Sequence, residues 1–553
     1  MTLIGDLGRQ SPSQNMLSSK TAVNQDAGDA PETSSARPGW TRVSVLTLTL
    51  LAAAAALLRF LFLVRKPFWF DECFSAEVSR LSWYDFSRLM WWREANMSLY
   101  YLLLRGWLHF GFSPFFIRSL SVVVSLATLP AVFWLSRKLF DRRVALIAVA
   151  LITFNAYHIR YAQEARSYSL LVLLATLSSG LFVAALRHPS RRNRWGYVLA
   201  SVLAVYAHLY ALLLVAAQWL SVRSWQRTQM SRTKVSGTQV VISPASRRNS
   251  IHHAWIWIGL AVLPLLAFAA KTGAGPIRWI PQPGFRDVLD FAEHLAGNDG
   301  LPLLLLYAAA CVAAIIPQEK MTWLLRPGIA SNLWARQFLL VWLLFPVALT
   351  LLLSLARPVF LGRYFIFCLP ALTILAAAGL ARLRRSWMLA FSLAAMLLLS
   401  MQGTFRYYDH DFDLERDGSG AAADYILTHA QPGDAIFFYI PGARTPYEFF
   451  KTVRAAEDSR SIVAAGPVIE AEIIYPRHGD HLDYRDFTGK PTSDFLRSIP
   501  GKYARVWLVL MSNGTPGHPD ATTLMINQAL GESFSRVEQM QFPEVEVRLY
   551  SKP

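Results

Sequence analysis

A polytopic all-α membrane bundle followed by a small α/β domain is the fold class this chain predicts, on three observations. Of its 553 residues, 54% are hydrophobic, 13% aromatic and only 16% charged, too apolar for a soluble protein with an ordinary surface. Apolar stretches of about 20 residues, long enough to cross a bilayer, recur from Val43 to Gln402. Beyond Gln402 the composition turns polar and mixed. There Ala422 to His429, Ala435 to Ile440 and Ala504 to Met511 read as helix alternating with buried strand.

The leader before Val43 is rich in Ser, Ala, Asp and Gln, too long for the n-region of a cleaved signal, and residues 1–42 are predicted to be a disordered cytoplasmic tail. The bundle is expected over 43–403 and an extracytoplasmic α/β domain over 404–553. Spans are predicted near Val43 to Val64, Phe115 to Ser136, Val144 to Tyr161, Tyr168 to Leu186, Ala254 to Ala270, Leu301 to Ile316, Phe338 to Leu355, Tyr364 to Ala381 and Trp387 to Gln402. The stretch from Trp195 to Val222 is too long for one upright span. Tyr206, His208 and Tyr210 interrupt it, so it divides into two short helices meeting at His208.

Four basic clusters test that division: Arg137 to Arg143, Arg187 to Arg194, Arg223 to Arg248, and Arg382 to Arg385. With it, all four fall on the side of the N-terminus, as cytoplasmic loops require. The expected bundle therefore has about eleven spans of roughly 20 residues, N-terminus inside and C-terminus outside. The net charge of +17 is accounted for by orientation and membrane-lipid contact, and nucleic acid is not an expected partner. Cys73 in a loop, and Cys311 and Cys368 in apolar segments, give no disulfide framework and no thiolate metal spacing.

Three outer loops remain. Arg65 to Pro114 contains two short apolar stretches, Leu81 to Trp92 and Ser98 to Phe112, read as helices lying in the interface. Lys271 to Gly297 is punctuated by Gly and Pro and ends in a short helix. Ala356 to Arg363 is very short.

The chemistry-bearing residues lie in or beside these loops. Asp71 and Glu72 follow the first span within Phe68-Trp69-Phe70-Asp71-Glu72. A carboxylate at the mouth of a bundle is partly desolvated and suited to act as a base, although such acids also simply cap a helix. In the run Arg160 to Tyr168, a continuous helix would place Arg160, Glu164 and Tyr168 on one face and Arg166 elsewhere; a plain Arg160/Glu164 ion pair is the alternative. Arg357, Arg363 and Tyr364 surround the third loop, where orientation disfavours arginine and a guanidinium fork fits phosphate oxygens. Lys271 and Arg278 are weaker candidates for the same task or for lipid headgroups. His208 is a candidate ligand contact or a buried core histidine. Acids facing cations suit attack of a hydroxyl on a sugar held by a lipid phosphate. Asp71 would take the proton, arginines would stabilise the departing phosphate, and in-line displacement would invert the anomeric centre.

Several runs carry a resemblance: Asp71-Glu72, Asn96 to Trp107, Ser113 to Ser121 with Arg118, Gln163 to Tyr168, and Arg363-Tyr364 leading to Pro370. In these the chain, over roughly Val43 to Gln402, resembles the GT-C superfamily of membrane glycosyltransferases, particularly the protein O-mannosyltransferases, aminoarabinose transferases and rhizobial lipopolysaccharide sugar transferases. The resemblance implies a polyprenyl-phosphate sugar donor, a lipid, glycan or protein acceptor, and inverting transfer at the outer face. It makes Asp71 the base, Glu164 a second acid that helps place acceptor or base, and Arg363 with Tyr364 the donor-phosphate side. Met97-Ser98 stands where family members commonly carry Pro-Pro, and Glu164 where the aminoarabinose enzymes carry aspartate. Relatives that hold a divalent metal cluster their acids; Asp71, Glu72 and Glu164 are too few to require one, so no cofactor is assigned. A flippase of lipid-linked sugars and a ligand-binding receptor are the competing classes.

Overall fold

The computed structural model describes residues 42–236, 244–273, 280–297, 300–317, 324, 332–410, 418–458, 470–479, 481–511, 514–515 and 518–553. The expected tail apart from Arg42, the middle of the third basic cluster, and Arg278 lie outside them. The chain opens with α1 (Arg42–Phe60), followed by three short helices, α2 (Phe70–Arg80), α3 (Trp83–Trp92) and α4 (Ser98–Trp107). Residues 46–553 form one compact unit; of the unit before it, Met1–Val45, the described part is the first turn of α1.

Local signals set the ends of the next helices. At α5 (Pro114–Leu139) the Ser113 hydroxyl accepts from the Phe116 N–H at 3.2 Å and proline occupies the first position. Asp141 caps α6 (Arg142–Phe154) and Asn155 caps α7 (Ala156–Ala162), each accepting a backbone N–H at 2.9 Å. Then come α8 (Tyr168–Arg187), α9 (Arg191–Ala207), α10 (Ala211–Ser236), α11 (Pro244–Thr272), α12 (Phe285–Ala296), α13 (Leu301–Ile315), α14 (Leu333–Ser354), α15 (Leu369–Ala381) and α16 (Ser386–His410).

Among the described residues, seven helices are long and apolar enough to cross a membrane, nine if each of two bent pairs is one span: α6 with α7, bent by 61°, and α12 with α13, bent by 74°. The chain is thus a multi-pass membrane protein. The expected eleven exceed this by α9 and α10, which meet at His208. Segment Gly362–Ala381 is 94% buried and α8 83%, against 22% for α1 and for Ser386–Asp409, so the former are central and the latter peripheral. Close approach is built in at Gly379, where a Cβ would lie 1.8 Å from the Ala310 carbonyl oxygen and so would separate α13 from α15.

Two local expectations are corrected. Asp71, Glu72 and Cys73 are not in a loop but in α2, both acids in its first turn, where the helix dipole favours negative charge. The run from Arg160 to Tyr168 is not one helix: α7 ends at Ala162 and α8 begins at Tyr168. The intervening turn is fixed instead by charges reaching across the bundle.

After α16, which runs through the expected boundary at residue 404, come α17 (Ser419–His429), β1 (Ala435–Tyr439), α18 (Arg444–Asp458), β2 (Glu472–Tyr475), α19 (Ser493–Lys502), β3 (Arg505–Met511), β4 (Gly514–Thr515), β5 (His518–Pro519), α20 (Ala521–Gly531), β6 (Arg536–Phe542) and β7 (Val545–Ser551). One sheet has the order β2-β1-β3-β7-β6, with β2, β1 and β3 parallel and β7 antiparallel to both β3 and β6. β1 is wholly buried, which is why it reads as a continuous apolar run. The β6–β7 hairpin gave no comparable signal, because β6 lies largely exposed.

Candidate active site at the mouth of the bundle

Adjacent residues on a helix point about 100° apart, and α2 uses this to separate its two acids. Glu72 is fully buried, its carboxylate gripped by Arg118 through Nε at 2.8 Å and Nη2 at 2.6 Å. The Ala165 N–H also donates to it at 2.8 Å. Arg118 gives its other N–H groups to the carbonyls of Leu63, Lys66 and Pro67, each at 2.8 Å. All five guanidinium donors are thereby used. The clamp ties α5, the segment before α2 and the turn before α8 to one carboxylate.

Asp71 faces the other way, with its side chain 20% exposed and Arg166 Nη2 3.5 Å from Oδ2. Arg166 also donates to the Asp71 carbonyl at 3.4 Å. Glu164, in the same turn, accepts from Lys66 at 2.9 Å and lies 3.7 Å from Arg160. Burial pushes the Glu164 carboxyl up, but Lys66 and then Arg160 outweigh it and hold the group below its ordinary value. The three acids therefore take separate cations. Among the described residues, the His/carboxylate group close enough to share an ion is His478, Asp483 and Asp486 near α19, where Asp486 is already paired with Arg444 at 3.0 Å.

Near Asp71 lies an aromatic cluster. Tyr161 meets Tyr168 with ring centroids 4.7 Å apart, Tyr168 meets His208 at 6.3 Å, His208 meets Tyr364 at 4.7 Å and Tyr364 meets Tyr210 at 5.0 Å. Arg363, Tyr364 and Tyr168 all lie within electrostatic reach of Asp71. The candidates Asp71, Arg166, Tyr168, His208, Arg363 and Tyr364 thus gather at one mouth of the bundle. Arg357 is exposed, and Lys271 sits 3.0 Å over the Trp92 ring.

Two partners escaped the sequence reading. Lys66 belongs to an Arg-Lys-Pro run directly before the aromatic-acid motif, and two cations outside a span were a usable signal. Glu94, half-buried, accepts from the Tyr101 hydroxyl at 3.3 Å. Burial raises its carboxyl above the ordinary value, Arg166 opposing and the Asp71 charge adding. Only the fold brings it beside Asp71.

The C-terminal region packs against the mouth. Phe68 stacks on Phe449 of α18 with centroids 4.5 Å apart, and Phe74 meets Phe487 edge-on at 5.2 Å. A Cβ on Gly442 would lie 3.2 Å from the Phe70 ring. Aromatic contacts from the α/β region therefore bracket Asp71 along the chain.

No protein-family model and no curated protein matches the chain. Among solved structures it is similar to ArnT from Cupriavidus metallidurans in the apo state, with a TM-score of 0.57 and 13% identity over 92% of this chain and 98% of that one. It is similar also to ArnT from the same organism bound to undecaprenyl phosphate, with a TM-score of 0.56 and 12% identity over 91% and 97%. The structural neighbours are GT-C glycosyltransferases, and the GT-C fold is the fold of this chain.

Proposed function

We propose that the protein is an inverting glycosyltransferase that moves a sugar from a polyprenyl-phosphate carrier to a hydroxyl of a lipid, glycan or protein acceptor at the outer face of the cell membrane. The observation that carries this is a partly exposed carboxylate, Asp71, held by Arg166 across a mouth from Arg363 and Tyr364 in a fold shared with a protein crystallised with undecaprenyl phosphate. In this reading the acceptor hydroxyl passes its proton to Asp71 as its oxygen attacks the anomeric carbon. The carbon–oxygen bond to phosphate breaks, the electron pair leaves on phosphate, and Arg363 stabilises the charge. Such a leaving group needs no protonation. Glu72 and Glu164 serve this reading as scaffold, the first through Arg118 and the second by fixing Lys66 at the rim. Counting α9 and α10 as short spans gives eleven, the N-terminus cytoplasmic and the α/β domain outside, where it would help choose the acceptor.

The bends of 61° and 74° favour a second reading, since transporters build substrate paths from broken helices. The test is release of polyprenyl phosphate from a panel of polyprenyl-phosphate sugars by protein in lipid with cell-envelope acceptors, for wild type, Asp71→Asn and Glu164→Gln. Turnover abolished by Asp71→Asn with donor binding retained supports the transferase. Tight donor binding without turnover in wild type would favour transport.

A further inference from the structure

His208 sits at the break between α9 and α10 with no exposed surface, and its backbone surroundings decide what its ring can do. The Tyr210 N–H donates to Nδ1 at 3.3 Å, so Nδ1 is an acceptor and the proton of the neutral ring resides on Nε2. Burial drives the imidazole down to about 3, with Arg166 and then Arg363 adding, so it remains neutral across physiological pH. The break is itself held in place, because Asn96 Oδ1 accepts the Leu209 N–H at 2.8 Å and the Tyr210 hydroxyl donates to the Val359 carbonyl.

That leaves Nε2–H as a buried donor with nothing to donate to. The neighbouring Tyr168 hydroxyl, on a side chain 1% exposed, and Arg166 Nε, on one 7% exposed, share this condition. Orphaned buried polar groups are costly and uncommon, and three within one cluster mark a place completed by a ligand. The set is rich in donors. A sugar hydroxyl asks its site for an acceptor as well, whereas a phosphate oxygen takes donors only. Of the carboxylates at this mouth, Asp71 is met by Arg166 at Oδ2 and is assigned above to the acceptor hydroxyl, and Glu94 takes the Tyr101 hydroxyl at Oε1.

We propose that His208 Nε2–H, with the Tyr168 hydroxyl and Arg166, donates hydrogen bonds to the phosphate oxygens of the lipid carrier, making His208 a neutral, orientation-fixed element of the leaving-group site. This rests on the reading of the protein as a polyprenyl-phosphate enzyme. It assigns the histidine a geometric task that Arg363, a charge, does not perform: the phosphate is held at one angle by a donor that does not alter the site's charge.

The test is equilibrium binding of undecaprenyl phosphate, and separately of an undecaprenyl-phosphate sugar, to the full chain in lipid, for wild type, His208→Gln, His208→Asn, His208→Phe and Tyr168→Phe. Glutamine places an amide N–H near the position of Nε2 and asparagine does not. His208→Phe and His208→Asn are expected to weaken both ligands by about 10- to 100-fold, the range of a hydrogen bond to a charged group. His208→Gln should retain most of the affinity and Tyr168→Phe should fall between. Weakening confined to the sugar-bearing ligand would overturn the phosphate assignment, as would affinity unchanged in all variants or Gln and Asn failing alike. A wild-type protein that binds neither ligand would instead remove the polyprenyl-phosphate reading itself.

Discussion

At the scale of single residues, one step along a helix, about 100° of rotation, separates a partly exposed acid from a fully buried one. Asp71 is reachable and carries an elongated ion pair at 3.5 Å, while Glu72 is enclosed in a saturated one. The two acids should therefore fail differently. Asp71→Asn should leave thermal stability near wild type and reduce turnover by about 10²- to 10⁴-fold, the range of a lost general base. Glu72→Gln should cost about 3–5 kcal/mol, because it leaves the Arg118 guanidinium buried against a neutral partner, and its signature is a lowered melting temperature in lipid or detergent. Equal melting temperatures for the two variants would refute this division.

At the scale of elements, the helix that carries Asp71 is positioned as much by the α/β region as by the bundle. Phe449 is buried between Phe68 at 4.5 Å and Phe112 at 5.4 Å. Truncation by Phe449→Ala should lower kcat by about tenfold through misplacement of Asp71, the proposed base, with donor affinity little changed, while Phe449→Leu recovers most of the rate. A loss confined to KM would place the effect on binding instead. The same seam is sensitive to pH. Burial pushes Glu77 of α2 up to about 7, Arg80 opposing and Glu448 of α18 adding. A carboxyl raised in the folded state binds its proton more tightly there than in the unfolded chain. The contribution is therefore present at low pH and declines as pH rises from about 4.5 toward 7. Melting temperature followed from pH 5 to 8 should fall less in Glu77→Gln than in wild type. Within the bundle, Gly379→Ala should destabilise strongly, since its methyl group would occupy the place of the Ala310 carbonyl; melting in lipid checks it.

At the scale of the whole molecule, a GT-C bundle, a bent-helix rim and an α/β cap share one compact unit. Composition and hydropathy were enough to reveal the bundle, because a bilayer demands long apolar helices and the sequence writes them openly. The strands at Ala435 and Arg505 were legible for a related reason: both are buried on two faces and read as apolar runs. The helix start at Phe70 was hidden by aromatic residues common to loops and helices alike. Lys66 offered a signal in its Arg-Lys-Pro run, but its partner did not show, because pairing across 98 residues, as between Lys66 and Glu164, leaves no periodic trace in the sequence; Glu94 offered no signal at all. Asp71, Arg166 and Arg363 stood out for the opposite reason, being charges at the ends of apolar spans, Asp71 an acid among aromatic residues and the arginines on a side where the expected topology disfavours them.

The saturation of Arg118 bears on how such a protein could change its substrate. A guanidinium with no N–H to spare offers nothing to a ligand, and any shift of the acid-bearing wall would break several bonds at once. That wall is a fixed reference surface. The aromatic side, built of Tyr161, Tyr168, Tyr210 and Tyr364 around His208, consists of tilted and edge-on rings that meet in pairs, with no comparable saturated clamp. Altered sugar scope, whether selected or engineered, should therefore arise from substitutions on the aromatic side, with the carboxylate side left as it is.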